Sequence, residues 1–227
     1  MSWTLTNCSN PQDLVANGEL AIMRKYLPHA QYIIDGGART GEWTRAALDH
    51  NSTARYVLFD PHPNAKLSGI PYSSISYSPK ALAGKSGPRE FFVAEVSCGL
   101  SSLYQRSVIG GATRITVPAT SIDDYLVDVV PPAKEIFLKL DVEGGEFDAL
   151  CGARKAFDER KILAAQFEYG GTWSDAHVQL KMAWDFYQSL PRYSFSLADG
   201  SEIREMKAWD DSAEHYQWST WLIARKE

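Results

Sequence analysis

The sequence predicts a doubly wound α/β domain with a mostly parallel sheet, and three observations carry that prediction. Mainly apolar, β-branched-rich runs recur at Tyr32-Ile33-Ile34, Tyr56-Val57-Leu58-Phe59, Ile136-Phe137-Leu138-Lys139-Leu140 and Ile162-Leu163-Ala164-Ala165-Gln166-Phe167, as expected of strands covered on both faces. Each run closes on an acid: Asp35, Asp60, Asp141 and Glu168. After two of these acids come paired glycines, Gly36-Gly37 and Gly144-Gly145, and then a helix-like run. Strand, glycine turn and helix make the βα unit of a nucleotide-type site.

The first unit is the most informative. Tyr32-Ile33-Ile34 leads into Asp35-Gly36-Gly37-Ala38-Arg39-Thr40-Gly41, and Glu42 to Leu48 continues as a helix. Glycines suit such a turn because they accept positive φ and admit a close ligand, and the free N–H groups of the helix start point at the same place. The dinucleotide pattern G-x-G-x-x-G is not met. An acid at the turn repels a pyrophosphate and pairs with an ammonium group. The reading is therefore a cationic cofactor with an amino-acid end, which describes S-adenosylmethionine (SAM). A glycine-rich connection with no ligand is the plain alternative.

The other elements follow in order. Residues 11–27 read as one or two helices, broken near Asn17-Gly18, so that residues 1–30 form a helical segment packed on a domain spanning 31–227. Asp60, 25 residues after Asp35, sits where a strand-two acid accepts hydrogen bonds from a ribose, about 20 residues past the glycine turn; capping a turn before Pro61 is its alternative. A strand at 74–77 leads to Ala81 and Leu82, small and apolar enough to pack on an adenine. Two β segments at 90–93 and 114–117 flank the loop Gly99-Leu100-Ser101-Ser102-Leu103-Tyr104, either a turn or a loop over the site. Ser121 and Asp124 mark a capped helix start. Asp141 and Glu143, two apart, point to one side in extended backbone. A helix at about 175–190 precedes strands at 193–197 and 216–224, an antiparallel pair at the sheet's end.

Composition narrows the classes. The chain of 227 residues is 44% apolar and 22% charged, with net charge −5, so it suits one globular domain and offers no field for nucleic acid or an anionic membrane. Its three cysteines, Cys8, Cys98 and Cys151, are odd in number and outside metal spacing, which predicts buried free thiols in a reducing compartment. The start lacks a basic region with an apolar core, and no apolar run reaches about 18 residues, so a cytoplasmic location is expected.

Taken together, Asp35-Gly36-Gly37-Ala38-Arg39-Thr40-Gly41, Phe59-Asp60-Pro61, Ala81-Leu82, Ser101-Ser102-Leu103, Ile122-Asp123-Asp124-Tyr125-Leu126, Leu138-Lys139-Leu140-Asp141-Val142-Glu143-Gly144-Gly145-Glu146 and Phe167-Glu168-Tyr169-Gly170 resemble the FkbM family of SAM-dependent methyltransferases. The resemblance implies a class I methyltransferase fold, with a seven-stranded, mostly parallel, Rossmann-like sheet whose last strand is antiparallel. It implies SAM as donor and a hydroxyl acceptor on a small molecule, sugar or secondary metabolite. Asp35, Gly36, Gly37, Ala38 and Gly41 would then hold the cofactor together with Asp60, Pro61, Ala81, Leu82 and Ser101. Two residues depart from the family pattern: Arg39 replaces an Asn, and Asp60 replaces a Glu. A cation at Arg39 opposes a sulfonium unless it turns outward or pairs with an acid.

An alcohol acceptor must lose a proton, so a base is required. Asp141 is the first candidate, then Glu143 and Glu168, with His62 and His177 behind them. Asp141 and Glu168 could instead hold Mg²⁺, a hard ion that takes oxygen ligands; the reading without metal is preferred. The competing functions are a SAM-binding module without catalysis and a dinucleotide-linked oxidoreductase. Neither the acceptor nor the oligomeric state is legible.

Overall fold

The computed structural model describes residues 13–65, 73–94, 98–106, 111–129 and 132–226. Cys8 and the beginnings of the N-terminal segment fall outside them, and the side chain of Cys98 is likewise not described. In chain order the chain forms α1 (Glu19–Tyr26), β1 (Tyr32–Gly36), α2 (Glu42–Leu48), β2 (Arg55–Phe59) and β3 (Ile75–Ser78). β4 (Ala81–Leu82), β5 (Gly87–Ala94), β6 (Ala112–Thr120) and α3 (Ile122–Val127) come next. Then follow β7 (Ile136–Leu140), α4 (Glu146–Cys151), α5 (Arg154–Asp158), β8 (Ile162–Tyr169), α6 (Gly171–Asp175) and α7 (Leu180–Gln188). The chain closes with β9 (Tyr193–Asp199), β10 (Glu202–Glu205) and β11 (Ser219–Arg225).

Among the described residues the main sheet has eight strands, ordered β10-β9-β11-β8-β7-β1-β2-β3. The strands from β3 to β8 pair in parallel, and β11 runs antiparallel between β8 and β9. This is the doubly wound sheet the sequence predicts, with one strand more than seven. The extra strand is β10, which Gly200, at φ +60°, turns back onto β9. Both faces are covered. Ile33, Tyr56, Leu58 and Phe137 pack against α1 and α2 through Ile22, Met23, Trp43 and Ala47. Ile34, Val57, Leu138, Leu140 and Phe167 pack against α4, α5 and α7. Alternation along each strand thus splits one apolar run between two layers.

β4, β6 and β5 form a separate three-stranded sheet, so the two β segments expected at 90–93 and 114–117 belong to one small antiparallel ladder. Three further details differ from expectation. The helix expected over 175–190 starts only at Leu180, because His177 takes φ 57° after the short α6 and the Glu214 carboxylate accepts the Leu180 and Lys181 N–H groups at 3.0 and 2.9 Å, fixing the start. The last strand begins at Ser219, not 216, because Tyr216 takes φ 51° and turns the chain. Cys151, at the end of α4, is exposed and not buried. The Ser121 cap is present as expected, accepting the Asp124 N–H at 3.0 Å, a contact of the kind that contributes about 1 kcal/mol. No helix among the described residues is long and apolar enough to cross a membrane.

Candidate active site

Strand register brings the four acid-bearing strand ends to one edge. Gly36 lies opposite Phe59 of β2 and Leu140 of β7, and Leu140 lies opposite Phe167 of β8. The residues that follow, Gly37, Asp60, Asp141 and Glu168, therefore emerge side by side. All four line a cavity of about 480 Å³. This is the carboxyl edge of the parallel strands, where open α/β sheets bind ligands.

The glycine turn is held in place from both neighbours. Gly37 and Ala38 donate their N–H groups to the Phe59 carbonyl at 2.9 and 3.1 Å, and the Asp141 N–H donates to the Gly36 carbonyl at 3.1 Å. Gly37 has φ +78°, and a Cβ there would stand 1.8 Å from the Asp141 carbonyl oxygen. Any side chain would drive the β1 and β7 turns apart, so this position requires glycine.

Asp60 is buried, and each of its oxygens accepts one backbone N–H: Arg39 at 2.7 Å and His62 at 2.8 Å. Burial pushes its carboxyl up, and those two N–H bonds moderate the shift. The remaining lone pairs are free to accept hydroxyls from the cavity side. Beyond it, Ala81, Leu82, Phe91, Leu100 and Leu103 make an apolar wall. Pro61 and Ser101 also line the space, and Ser101 Oγ accepts the Ala94 N–H at 3.0 Å.

The loop Gly99–Tyr104 is thus a loop over the site. Ser102 exchanges backbone bonds with Phe92 at 2.8 and 3.1 Å, and its hydroxyl donates to the Glu143 carbonyl at 2.6 Å. Arg106 bonds the Glu143 carboxylate at 2.7 Å and lies 3.4 Å from Asp175. Arg39 lines the cavity with its guanidinium over the Gly99 backbone.

The acids differ sharply in circumstance. The Asp141 side chain is 41% exposed and faces the cavity, with Lys139 Nζ 3.6 Å behind it. Burial and the Asp141 charge push the Glu143 carboxyl up to about 8, against the pull of Arg106. Burial, then the charges of Asp141 and Glu143, raise Glu168 well above the carboxylate range. Glu146, fully buried, accepts the Val142 and Gly144 N–H groups at 2.7 and 2.9 Å and so folds the acid turn; burial pushes it up to about 7.

Four of the residues expected at the cofactor do not line the cavity. Gly36, Ala38 and Gly41 build the turn and the α2 start behind it. Asp35 is the larger correction. It is fully buried, 3.0 Å from Lys139 Nζ, and accepts the Thr44 hydroxyl at 2.6 Å. It is paired inside the protein and does not line the cavity. Of the two histidines, His62 lines the cavity and His177 does not. Among the described residues no group of three or more His, Cys, Asp or Glu is arranged to hold a metal ion.

The sequence pattern assigns no individual role to Arg106, Trp218, Glu146 and Lys139. Lys139 carried a signal: a cation in the middle of a buried strand must have a carboxylate partner. Trp218 was hidden by its place in an apolar run read as strand.

Residues 35–208 match the family model described as the methyltransferase FkbM domain. The chain belongs to the FkbM methyltransferase family. Its fold is that of the class I methyltransferases, shared with the precorrin-6y C5,15-methyltransferase of Geobacter metallireducens GS-15 at TM-score 0.50 and 10% identity, over 98% of this chain and 93% of that one. No curated protein matches the chain in sequence. Within the FkbM domain, the K-x-D-x-E-G-x-E block divides its labour: Lys139 and Glu146 are buried supports, while Asp141 and Glu143 face the cavity.

Proposed function

We propose that this FkbM methyltransferase transfers a methyl group from SAM to a hydroxyl of a small molecule, with residues 31–227 as the catalytic domain and α1 packed on it. The observation that carries the reading is Asp141, a carboxylate open to the same cavity as the Gly37 turn and Asp60. The cavity fits the cofactor by its donor set. Asp60 suits a ribose diol, the wall of Ala81, Leu82 and Phe91 suits a purine face, and the volume of about 480 Å³ lies within the range of small-molecule sites. When bound, SAM supplies a methyl carbon made electrophilic by its sulfonium.

The chain's own part is placement and proton removal. Holding two reactants in line is worth about 7–11 kcal/mol of a barrier. The Gly37 turn and Asp60 fix one partner, and the far wall of Glu143, Glu168, Gly170, Thr172 and Trp218 borders the space left for the other. Asp141 takes the proton from the acceptor hydroxyl. Glu143 is engaged with Arg106, and burial together with its acidic neighbours raises Glu168 well above the carboxylate range; both rank after Asp141. Arg39, over Gly99, keeps its charge against the covering loop.

The test is calorimetry with SAM, S-adenosylhomocysteine (SAH) and NAD(H), followed by transfer of labelled methyl to a panel of alcohols and amines. Binding of SAH without NAD(H), with label on an alcohol oxygen, is the expected result. SAH binding with no transfer to any acceptor would make the chain a binding module. Label on nitrogen alone would overturn the hydroxyl assignment, and failure to bind SAH would overturn the whole reading.

A further inference from the structure

Lys139 sits behind the cavity wall and touches both turns that form it. Its Nζ lies 3.0 Å from Asp35 Oδ1 and 3.6 Å from Asp141 Oδ2. It donates to the carbonyls of Gly36 at 3.2 Å and Gly37 at 3.0 Å. Its side chain is 3% exposed. Two of the ammonium donors thus go to the glycine turn, and the Asp35 and Asp141 carboxylates, from two different chain segments, stand within ion-pair distance of the same group. We propose that Lys139 is a positioning residue that ties the Gly36-Gly37 turn to Asp141, and so sets the distance between the cofactor-binding turn and the proton acceptor. The proposal rests on the methyltransferase reading of the site.

The surroundings explain why a cation is kept in so buried a place. Asp35 faces Lys139 from β1 and Asp141 from the end of β7; Glu19 faces it from α1, where Gln166 of β8 and Asn17 donate to the Glu19 carboxylate. Burial works against the ammonium, but Asp35, Asp141 and Glu19 outweigh it and hold its proton more firmly than usual. Glu143, Glu146 and Glu168 also lie around Asp141, and burial together with the Asp141 charge raises all three. Without Lys139, Asp141 would lose the cation 3.6 Å from its carboxylate, and two glycine carbonyls would lose a buried donor. The Gly36-Gly37 turn and Asp141 would keep a single backbone bond between them, Asp141 N–H to Gly36 carbonyl at 3.1 Å.

Removing Lys139 alone strands a buried carboxylate, which is strongly destabilising. The informative variant is therefore the double change Lys139→Met with Asp35→Asn, which removes the pair together, accompanied by Lys139→Arg, which keeps the charge but not the compact three-way reach. Two measurements are made on each. The first is amide hydrogen exchange on the ligand-free protein. It should quicken in the segments 36–41 and 141–146 and stay unchanged in β2, β8 and β11. The second separates binding from turnover: SAH affinity should hold while kcat falls about 10²-fold, the scale expected from a displacement of about 1 Å. Unchanged exchange in both segments would overturn the tether. Faster exchange with kcat intact would overturn its role in positioning. Exchange quickened through the whole sheet, with SAH affinity and kcat lost together, would make Lys139 a plain stabiliser. Should the unaltered chain bind no SAH or transfer no methyl, the function reading fails, and the exchange experiment still decides whether Lys139 joins the two turns.

Discussion

At the close of β1 the chain runs acid, glycine, glycine; after β7 it runs acid, valine, acid, glycine, glycine. The two turns look like repeats of one device, yet Asp35 is fully buried while the Asp141 side chain is 41% exposed to the cavity. Register explains the difference. Asp35 pairs across the sheet with Lys139, two residues before Asp141. The first acid is therefore inside its strand and the second is just past the end of its own. An acid inside a buried strand must find a cation, and Lys139 is that cation. An acid past the strand end can face a ligand. The same residue type in the same local pattern thus becomes a support in one turn and a reactive group in the other, according to where the hydrogen-bonded ladder stops.

Exchanging each acid for its amide probes that division. Asp141→Asn should lower kcat about 10²–10⁴-fold, with unfolding and SAH affinity little changed; a rate equal to that of the unaltered chain would remove Asp141 as the proton acceptor. Asp35→Asn should act on the other property. It breaks a fully buried pair and should cost about 3 kcal/mol in chemical denaturation, with SAH affinity held. Lost SAH affinity at full stability would return Asp35 to the cofactor and erase the contrast. Asp60→Ala lies between the two, because its carboxylate both accepts two backbone N–H groups and lines the cavity. It should weaken SAH binding by about 1.5–3 kcal/mol, the scale of hydrogen bonds to a charged group. Calorimetry giving unchanged affinity would mean that Asp60 only caps its turn.

The fold was legible because burial writes itself into periodicity. The runs ending at Asp35, Asp60, Asp141 and Glu168 are apolar on both faces, and only parallel strands between helices need that. Asp141 and Glu168 close two of those runs, and the strands that carry them, β7 and β8, pair side by side. What the sequence hid are decisions made at a distance. His177 and Glu214 end one helix pattern and start another, and Glu214 lies 34 residues from the N–H it caps. The pairing of Asp35 with Lys139 joins residues far apart in the chain, as does that of Arg106 with Glu143. The pattern around Asp35 says that an acid follows a strand. Only the partner strand says which side it faces.

The smallest expected effect concerns the third carboxylate near Lys139. Burial, opposed by Lys139, pushes Glu19 up to about 7, whereas an unfolded glutamate titrates near 4.3. The folded state therefore holds the proton more tightly. The stability linked to this group is complete below about pH 4.3 and is lost as pH rises through about 7. Glu19→Gln removes the titrating group and keeps one acceptor for the Asn17 and Gln166 amides that now bond the carboxylate. Relative to the unaltered chain, the variant should gain stability between about pH 5 and pH 8. The gain should be on the order of 1–2 kcal/mol, reduced by the water that reaches a half-buried side chain. Urea midpoints for both proteins at the two pH values measure it. A difference between the proteins that is the same at both would show that Glu19 is ionised throughout. The ammonium behind the turns would then face three full negative charges, and Asp141 would compete with Glu19 as well as with Asp35 for it.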